Sequence, residues 1–214
     1  MTIILLVRHG HVEGIKPERF RGRADLVLTE TGQRQAELLA RRIASRWAPS
    51  SIFTSPLQRC IATGAAVAKA CGVPSEPLAG LYDLDYGAWQ SLTYDDARAS
   101  DPGLFAAWFT TPHLVGFPDG ESLQDVAART ANVLRFVLSR NEADTLVLVG
   151  HDSVNRVLLT QILDMPLSAY WRLVQNPCSI NEIEVTGSSF QLRRMNDTAH
   201  LDLGTTCQSL VRSK

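Results

Sequence analysis

Hydrophobic and polar positions along the chain follow two alternating patterns. Ile3-Ile4-Leu5-Leu6-Val7 and Leu146-Val147-Leu148-Val149 are unbroken apolar runs rich in β-branched residues. Runs this short fit strands covered on both faces, and they place strands at 3–10 and 145–150. Between them the period changes. Ala36, Leu39, Ala40, Ile43 and Trp47 recur at three- and four-residue spacings, which predicts an amphipathic helix from a cap at Thr29 to about Trp47. Val126, Thr130, Val133, Leu134 and Val137 repeat that pattern behind Ser122 and Asp125. Ser51-Ile52-Phe53-Thr54 predicts a short strand. The helix after it should take Ser55 as cap and Pro56 as first helical residue, and stop at Gly72.

Strand and helix therefore alternate, and another helix follows residue 150. This order predicts a three-layer α/β/α sandwich with a mostly parallel central sheet. Only the end departs from it: SINEIEV and FQLRRM, split by Thr186-Gly187-Ser188-Ser189, predict a terminal hairpin. No linker-like composition or repeat divides the chain, so residues 1–214 read as one domain. The stretch 82–118, rich in Tyr, Trp, Phe, Pro and Asp, reads as a cap-like excursion beyond the sheet edge.

Composition narrows the function classes. With 214 residues, 45% of them apolar and 20% charged, and a net charge of −1, the chain can bury a substantial core and is a poor match for a nucleic-acid binder. Its apolar N-terminus is interrupted at Arg8 and lacks both a basic leader and a small-residue cleavage site, which disfavours secretion and membrane insertion and predicts a cytoplasmic protein. Cys60, Cys71, Cys178 and Cys207 are dispersed, as reduced thiols acting as small hydrophobes would be.

The candidate chemistry lies where the strands stop. The first apolar run ends on Arg8-His9-Gly10, and the second ends on His151, with Arg156 about a turn beyond. Arg59 follows the short strand, on the first turn of its helix. Ligands of open parallel sheets bind at the carboxyl ends of strands, so these groups should converge. Two histidines and two arginines, Arg8 and Arg59, together call for an anion, and a phosphoryl group suits guanidinium geometry and nearby helix N-termini.

These residues resemble the histidine phosphatases, the phosphoglycerate mutase-like superfamily. The likeness runs over roughly residues 3–186 and rests on motifs in the family's order. Arg8-His9-Gly10 matches its opening R-H-G, and RFRGRADLVLTETGQRQA (19–36) is similar to the stretch that follows. SPLQRCIATG (55–64) resembles S-P-L-x-R-x-x-x-T-A, and LYDLDYGAW (81–89) resembles the acid motif with Asp83 where Glu is usual. PDGESLQDVAAR (118–129) and VGHDSVNR (149–156) complete the set. The resemblance implies His9 as nucleophile, Arg8, Arg59 and His151 holding the phosphoryl oxygens, and Asp83 as the proton donor to the leaving alcohol. It also implies substrate contacts from Arg21, Gly22 and Glu121. A phosphohistidine would split one hard displacement into two easier ones, and fixed guanidiniums would supply charge with neither metal nor cofactor.

Several features pull against that reading. Val12 and Ile15 stand where polar residues are common in the family, and Asp152 replaces a Gly; a carboxylate turned towards the phosphate would repel it. Those departures keep a non-catalytic phosphate-binding protein in view. His9-Gly10-His11 has a spacing that metal hydrolases also use, though no further ligand set accompanies it. A phosphomutase is the alternative within the family, but the acid motif is followed only by the stretch from Trp89 to Gly120, too short for the insertion that shields a mutase phosphoenzyme from water. Hydrolysis of a small phosphate ester is therefore the expectation, with the substrate unread and a homodimer left open. Tyr82, Trp89, Trp108, Phe109 and Phe117 either line a cap over the leaving group or form core.

Overall fold

A computed structural model of the protein describes residues 1–13, 18–140 and 144–202. Six strands form one sheet in the order β3-β2-β4-β1-β5-β6, with β1 Thr2–Arg8, β2 Ser51–Thr54, β3 Ser75–Pro77, β4 Thr145–Gly150, β5 Ile180–Thr186 and β6 Ser189–Asp197. The first four are mutually parallel, and β5 and β6 add the expected antiparallel hairpin. β3 was not anticipated. It is a three-residue edge strand without hydrophobic alternation, and Pro77 limits it to the margin of the sheet.

Each sheet face has its own apolar core, because successive side chains of a strand point to opposite sides. Leu5, Val7, Ile52, Val147 and Val149 pack against α1 (Glu30–Arg46) and α2 (Gln58–Cys71). Ile4, Leu6, Phe53, Leu146 and Leu148 pack against α5 (Leu123–Arg140) and α6 (Asp152–Ile162). Thr29 caps α1 as predicted, its side chain accepting from the Gly32 amide. Gly72 ends α2 in the left-handed region, at φ +69°. The start of α2 differs from expectation. The helix begins at Gln58 after Leu57, and the Ser55 hydroxyl bonds a histidine described below instead of capping the helix.

The stretch 82–118 forms α3 (Tyr94–Ser100), α4 (Pro102–Thr110) and short 3-10 turns at Gly87–Trp89 and Pro112–Leu114. Trp89, Trp108 and Phe117 are buried in an aromatic cluster with Phe20 and Tyr86, with ring centroids about 5 Å apart, so these three are core. Phe109 is partly exposed and stacks on Trp171, while Arg23 lies over the Tyr82 ring. A four-residue α7 (Ala199–Asp202) packs on α1. Among the described residues, no helix is long and apolar enough to cross a membrane.

Candidate active site

Sheet register brings the motif residues together. Arg8 pairs with Gly150 across β1 and β4, and Val149 pairs with Thr54 across β4 and β2, so three chains leave the sheet at one level. The next residues are His9, His151 and Ser55. Their backbones stay tied to β4: the His9 amide donates to the Gly150 carbonyl at 3.1 Å and the Ser55 amide to that of Val149 at 2.9 Å. Gly10 explains why glycine must follow His9. A Cβ there would lie 2.5 Å from the Gly32 carbonyl oxygen, so the strand end could not approach the N-terminus of α1 so closely.

Both histidine rings are buried, edge to face, with centroids 5.2 Å apart. Desolvation, reinforced by Arg59 and Arg8, holds both imidazoles well below their ordinary 6.5, so both are neutral near pH 7. Their tautomers follow from their partners. His9 Nδ1 lies 2.7 Å from the Gly10 carbonyl, which can only accept, so Nδ1 carries the proton and Nε2 keeps the lone pair. At His151 the Arg59 Nε–H donates to Nδ1 at 3.2 Å, so Nε2 carries the proton and donates to Ser55 Oγ at 2.8 Å.

Arg59 is fully buried, and its guanidinium also donates to the carbonyls of Ala24 (2.6 Å) and Gly22 (2.7 Å) and to Asp83 Oδ2 (3.1 Å). Arg8 donates to the Gln175 carbonyl and leaves its Nε buried without a partner. Asp83 Oδ1 accepts the Leu84 amide at 2.9 Å, and Oδ2 lies 3.5 Å from His151 Nδ1. Burial pushes the Asp83 carboxyl above its usual range, with Arg59 and then Arg21 opposing the shift. The predicted set Arg8, His9, Arg59, Asp83 and His151 is thus one buried constellation of neutral imidazoles, guanidiniums and a carboxyl group.

Other candidates occupy different places. Gly22 has φ +45°, and a Cβ there would meet the Leu84 carbonyl oxygen at 2.9 Å and the Tyr86 ring at 3.0 Å. Its part is to supply a carbonyl to Arg59. Arg21 is half-buried, close enough for its charge to act on His9, Arg8 and Asp83. Glu121, expected to contact substrate, has both oxygens taken by protein: Arg129 Nε and Nη2 at 3.0 Å each, the Asp85 amide at 3.1 Å and Arg23 at 3.1 Å. Val12 is buried in the core beside Leu28, and Ile15 lies outside the described residues, as does Cys207. Asp152, the first residue of α6, turns to Arg156 Nε at 2.9 Å, with Arg8 Nη1 at 3.9 Å. His11 bonds Thr29 Oγ1 at 2.9 Å, and among the described residues no three His, Cys, Asp or Glu side chains group as a metal site. Three residues have roles that the sequence did not suggest. Ser55 fixes the His151 ring, Thr63 Oγ1 accepts the Gly10 amide at 3.1 Å, and Arg129 holds the backbone around Asp83. All three lay inside the motifs at 55–64 and 118–129, where periodicity marks only the helix.

Neutral imidazoles flanked by buried guanidiniums, at the carboxyl edge of a parallel sheet, define a site for phosphoryl chemistry. The chain belongs to the histidine phosphatase superfamily (branch 1), whose sequence profile matches residues 4–198. Phosphoserine phosphatase 1 of Hydrogenobacter thermophilus is 30% identical to it over 201 residues, which is 94% of this chain and 95% of that protein. The structure of YhfR from Bacillus stearothermophilus superposes with a TM-score of 0.89 at 29% identity, covering 94% of this chain and all of that one. The mycobacterial glucosyl-3-phosphoglycerate phosphatase Rv2419c gives 0.84 at 25% identity, with 92% and 99% covered.

Proposed function

We propose that this enzyme hydrolyses small phosphate monoesters without a metal, through a phosphohistidine on His9. The observation that carries the reading is the His9 tautomer: Nδ1–H is pinned to the Gly10 carbonyl and Nε2 is left as a free lone pair in a neutral ring. Nε2 attacks phosphorus as the bond to the leaving oxygen breaks, and Asp83 delivers a proton to that oxygen. Water then attacks the phosphohistidine, Asp83 recovers the proton, and inorganic phosphate leaves with Nε2 restored. Arg8 and Arg59 meet the charge on the non-bridging oxygens, where preorganised donors act most strongly, and His151 joins them by turning its Nε2–H from Ser55 Oγ to a phosphoryl oxygen.

Substrate binding would also prepare the acid. Asp83 pairs with Arg59 at 3.1 Å. A phosphoryl group competes for that guanidinium and adds negative charge beside the carboxyl, and both effects favour the protonated acid. Water is the preferred acceptor because two of the relatives above are phosphatases by name. On this reading the chain acts as a single cytoplasmic domain on a small-molecule ester, with no nucleic-acid or membrane partner.

The test is turnover of p-nitrophenyl phosphate and alkyl phosphates by purified protein in EDTA, with a base quench to trap labelled enzyme. Activity should survive chelation, and the label should be base-stable, acid-labile and absent from His9→Ala. Complete loss in EDTA restored by zinc or magnesium, or wild-type label in His9→Ala, refutes the reading.

A further inference from the structure

We propose that Arg129 and Glu121 form a clamp that positions Asp83 for proton transfer, so that both are positioning residues of the reaction. The proposal rests on the phosphatase reading above and adds to it how the acid is aimed.

Asp83 belongs to no helix or strand. It follows a 3-10 turn at Ala79–Leu81 and precedes the one at Gly87–Trp89, so no ladder of backbone hydrogen bonds fixes its direction. Arg129 supplies the missing support from the middle of α5. Its Nη1 donates to the Gly80 carbonyl at 2.8 Å and its Nη2 to the Asp83 carbonyl at 3.2 Å, bracketing the segment that carries the acid. The other edge of the same guanidinium meets Glu121 as a fork, Nε to Oε1 and Nη2 to Oε2, each at 3.0 Å.

Glu121 extends the hold on both sides. Its Oε2 accepts the Asp85 amide at 3.1 Å, and its own amide donates to the Asp85 carbonyl at 2.9 Å. Its Oε1 lies 3.1 Å from Arg23 Nη2, and Arg23 Nη1 lies 3.2 Å from Asp85 Oδ2. Arg23 directly follows Gly22, whose carbonyl accepts from Arg59. One run of ion pairs therefore joins the acid loop, α5 and the loop that seats Arg59. The Arg129 and Glu121 side chains are only 18% and 17% exposed, so the pair is far less screened than a surface one. Lysine could not replace the fork, because an ammonium is a point charge that cannot bridge two carbonyls and a carboxylate in one plane.

The run reaches the phosphate cradle only through the backbone at Gly22, which accepts from Arg59. The cradle's strand ends and α2 are tied to one another, and Arg129 touches no cradle side chain in the hydrogen bonds it makes. Loosening the clamp should then impair proton delivery and spare phosphate capture. Full-length Arg129→Lys and Glu121→Gln are compared with wild type in single-turnover phosphorylation of His9, with ethyl phosphate and p-nitrophenyl phosphate as donors. Ethyl phosphate transfer should slow by about tenfold or more, against roughly 10²-fold for a 1 Å misplacement, while nitrophenyl transfer stays within about twofold because its leaving group needs no proton. In an Asp83→Asn background, Arg129→Lys should slow ethyl phosphate no further.

Equal slowing with both donors, or effects of Arg129→Lys and Asp83→Asn that multiply, overturns the clamp. Should Arg129→Lys fail to fold, Glu121→Gln, which keeps the side chain's shape, decides by the same criterion. A wild-type protein that forms no phosphohistidine with either donor refutes the phosphatase reading itself.

Discussion

His9 and His151 leave adjacent parallel strands one residue beyond a shared register, whereas Asp83 leaves no strand at all. The cradle is therefore a product of sheet geometry. Once Arg8 pairs with Gly150, the rings that follow meet at 5.2 Å, and the groups that hold them, the Gly10 carbonyl, the Ser55 hydroxyl and Arg59 Nε, come from the same strand ends and from α2. The acid loop is held by side chains: a guanidinium fork, a carboxylate and an aromatic cluster beyond the sheet edge. On the proposed mechanism such a division separates two tasks, because a rigid sheet edge can fix where charge develops while a loop carries the group that moves a proton. The two regions should fail in different ways when altered.

The largest predicted effect sharpens that separation. Asp83→Asn keeps the shape of the side chain and removes the proton, so it should slow phosphorylation of His9 by an alkyl phosphate by roughly 10²–10⁴-fold, the usual worth of one positioned acid. With p-nitrophenyl phosphate the loss should be far smaller, since a nitrophenolate departs unprotonated. Rapid quench of a single turnover is the measurement, because on the proposed mechanism steady-state rates mix in the water-attack step that uses the same carboxylate. Equal slowing of both donors would make Asp83 structural and join it to the cradle.

The same division governed what could be read from sequence. Apolar runs disclosed β1 and β4 almost to the residue, and three- and four-residue spacing disclosed α1 and α5, because burial on one or two faces imposes those periods directly. From these elements the convergence of Arg8, His9, Arg59 and His151 followed by topology alone. The excursion gave no such signal. Its aromatics pack in all directions around Phe20 and Phe117, so α3 and α4 carry little periodicity. Glu121 was legible as a motif residue but not as a partner of Arg129, since two side chains eight residues apart across a helix start leave no mark of their pairing. The start of α2 misled for a chemical reason: a serine before a proline signals a cap, yet here the hydroxyl accepts from His151.

A smaller effect asks whether register alone makes the cradle. Asp152 sets its Oδ1 3.9 Å from Arg8 Nη1, and the same oxygen pairs more closely with Arg156 Nε, at 2.9 Å. Asp152→Asn removes the charge while keeping the shape. Phosphate and vanadate should then inhibit more tightly, by no more than about fivefold, because partly exposed ion pairs are worth about 1 kcal/mol or less. Inhibition constants measured at fixed ionic strength check this. Weaker inhibition would show that the carboxylate orients Arg8 for the anion, and the cradle would then depend on side-chain support as the acid loop does.

The smallest effect expected on rate concerns pH, where the two regions carry opposite signs. His9 and His151 are held neutral below their ordinary 6.5, so protons bind more readily to the unfolded chain. Their contribution to stability is complete above pH 6.5 and is lost as pH falls towards the depressed values. Asp83 is raised, so its contribution is complete below the ordinary carboxylate value and is lost as pH rises through its folded value. With two groups against one, the urea midpoint should fall from pH 7 to pH 5, and less steeply in His9→Asn. Rate should behave differently. An imidazole at its ordinary value would be about three-quarters protonated at pH 6, and phosphorylation would drop to about a quarter of its maximum. Because His9 stays neutral, single-turnover transfer from p-nitrophenyl phosphate, corrected for ionisation of the substrate, should stay nearly flat between pH 7 and pH 6. A drop of about threefold over that interval, as an imidazole at its ordinary value would give, would mean that the His9 imidazole is hydrated in solution, and the dry, preorganised cradle would no longer be what distinguishes it from the acid loop.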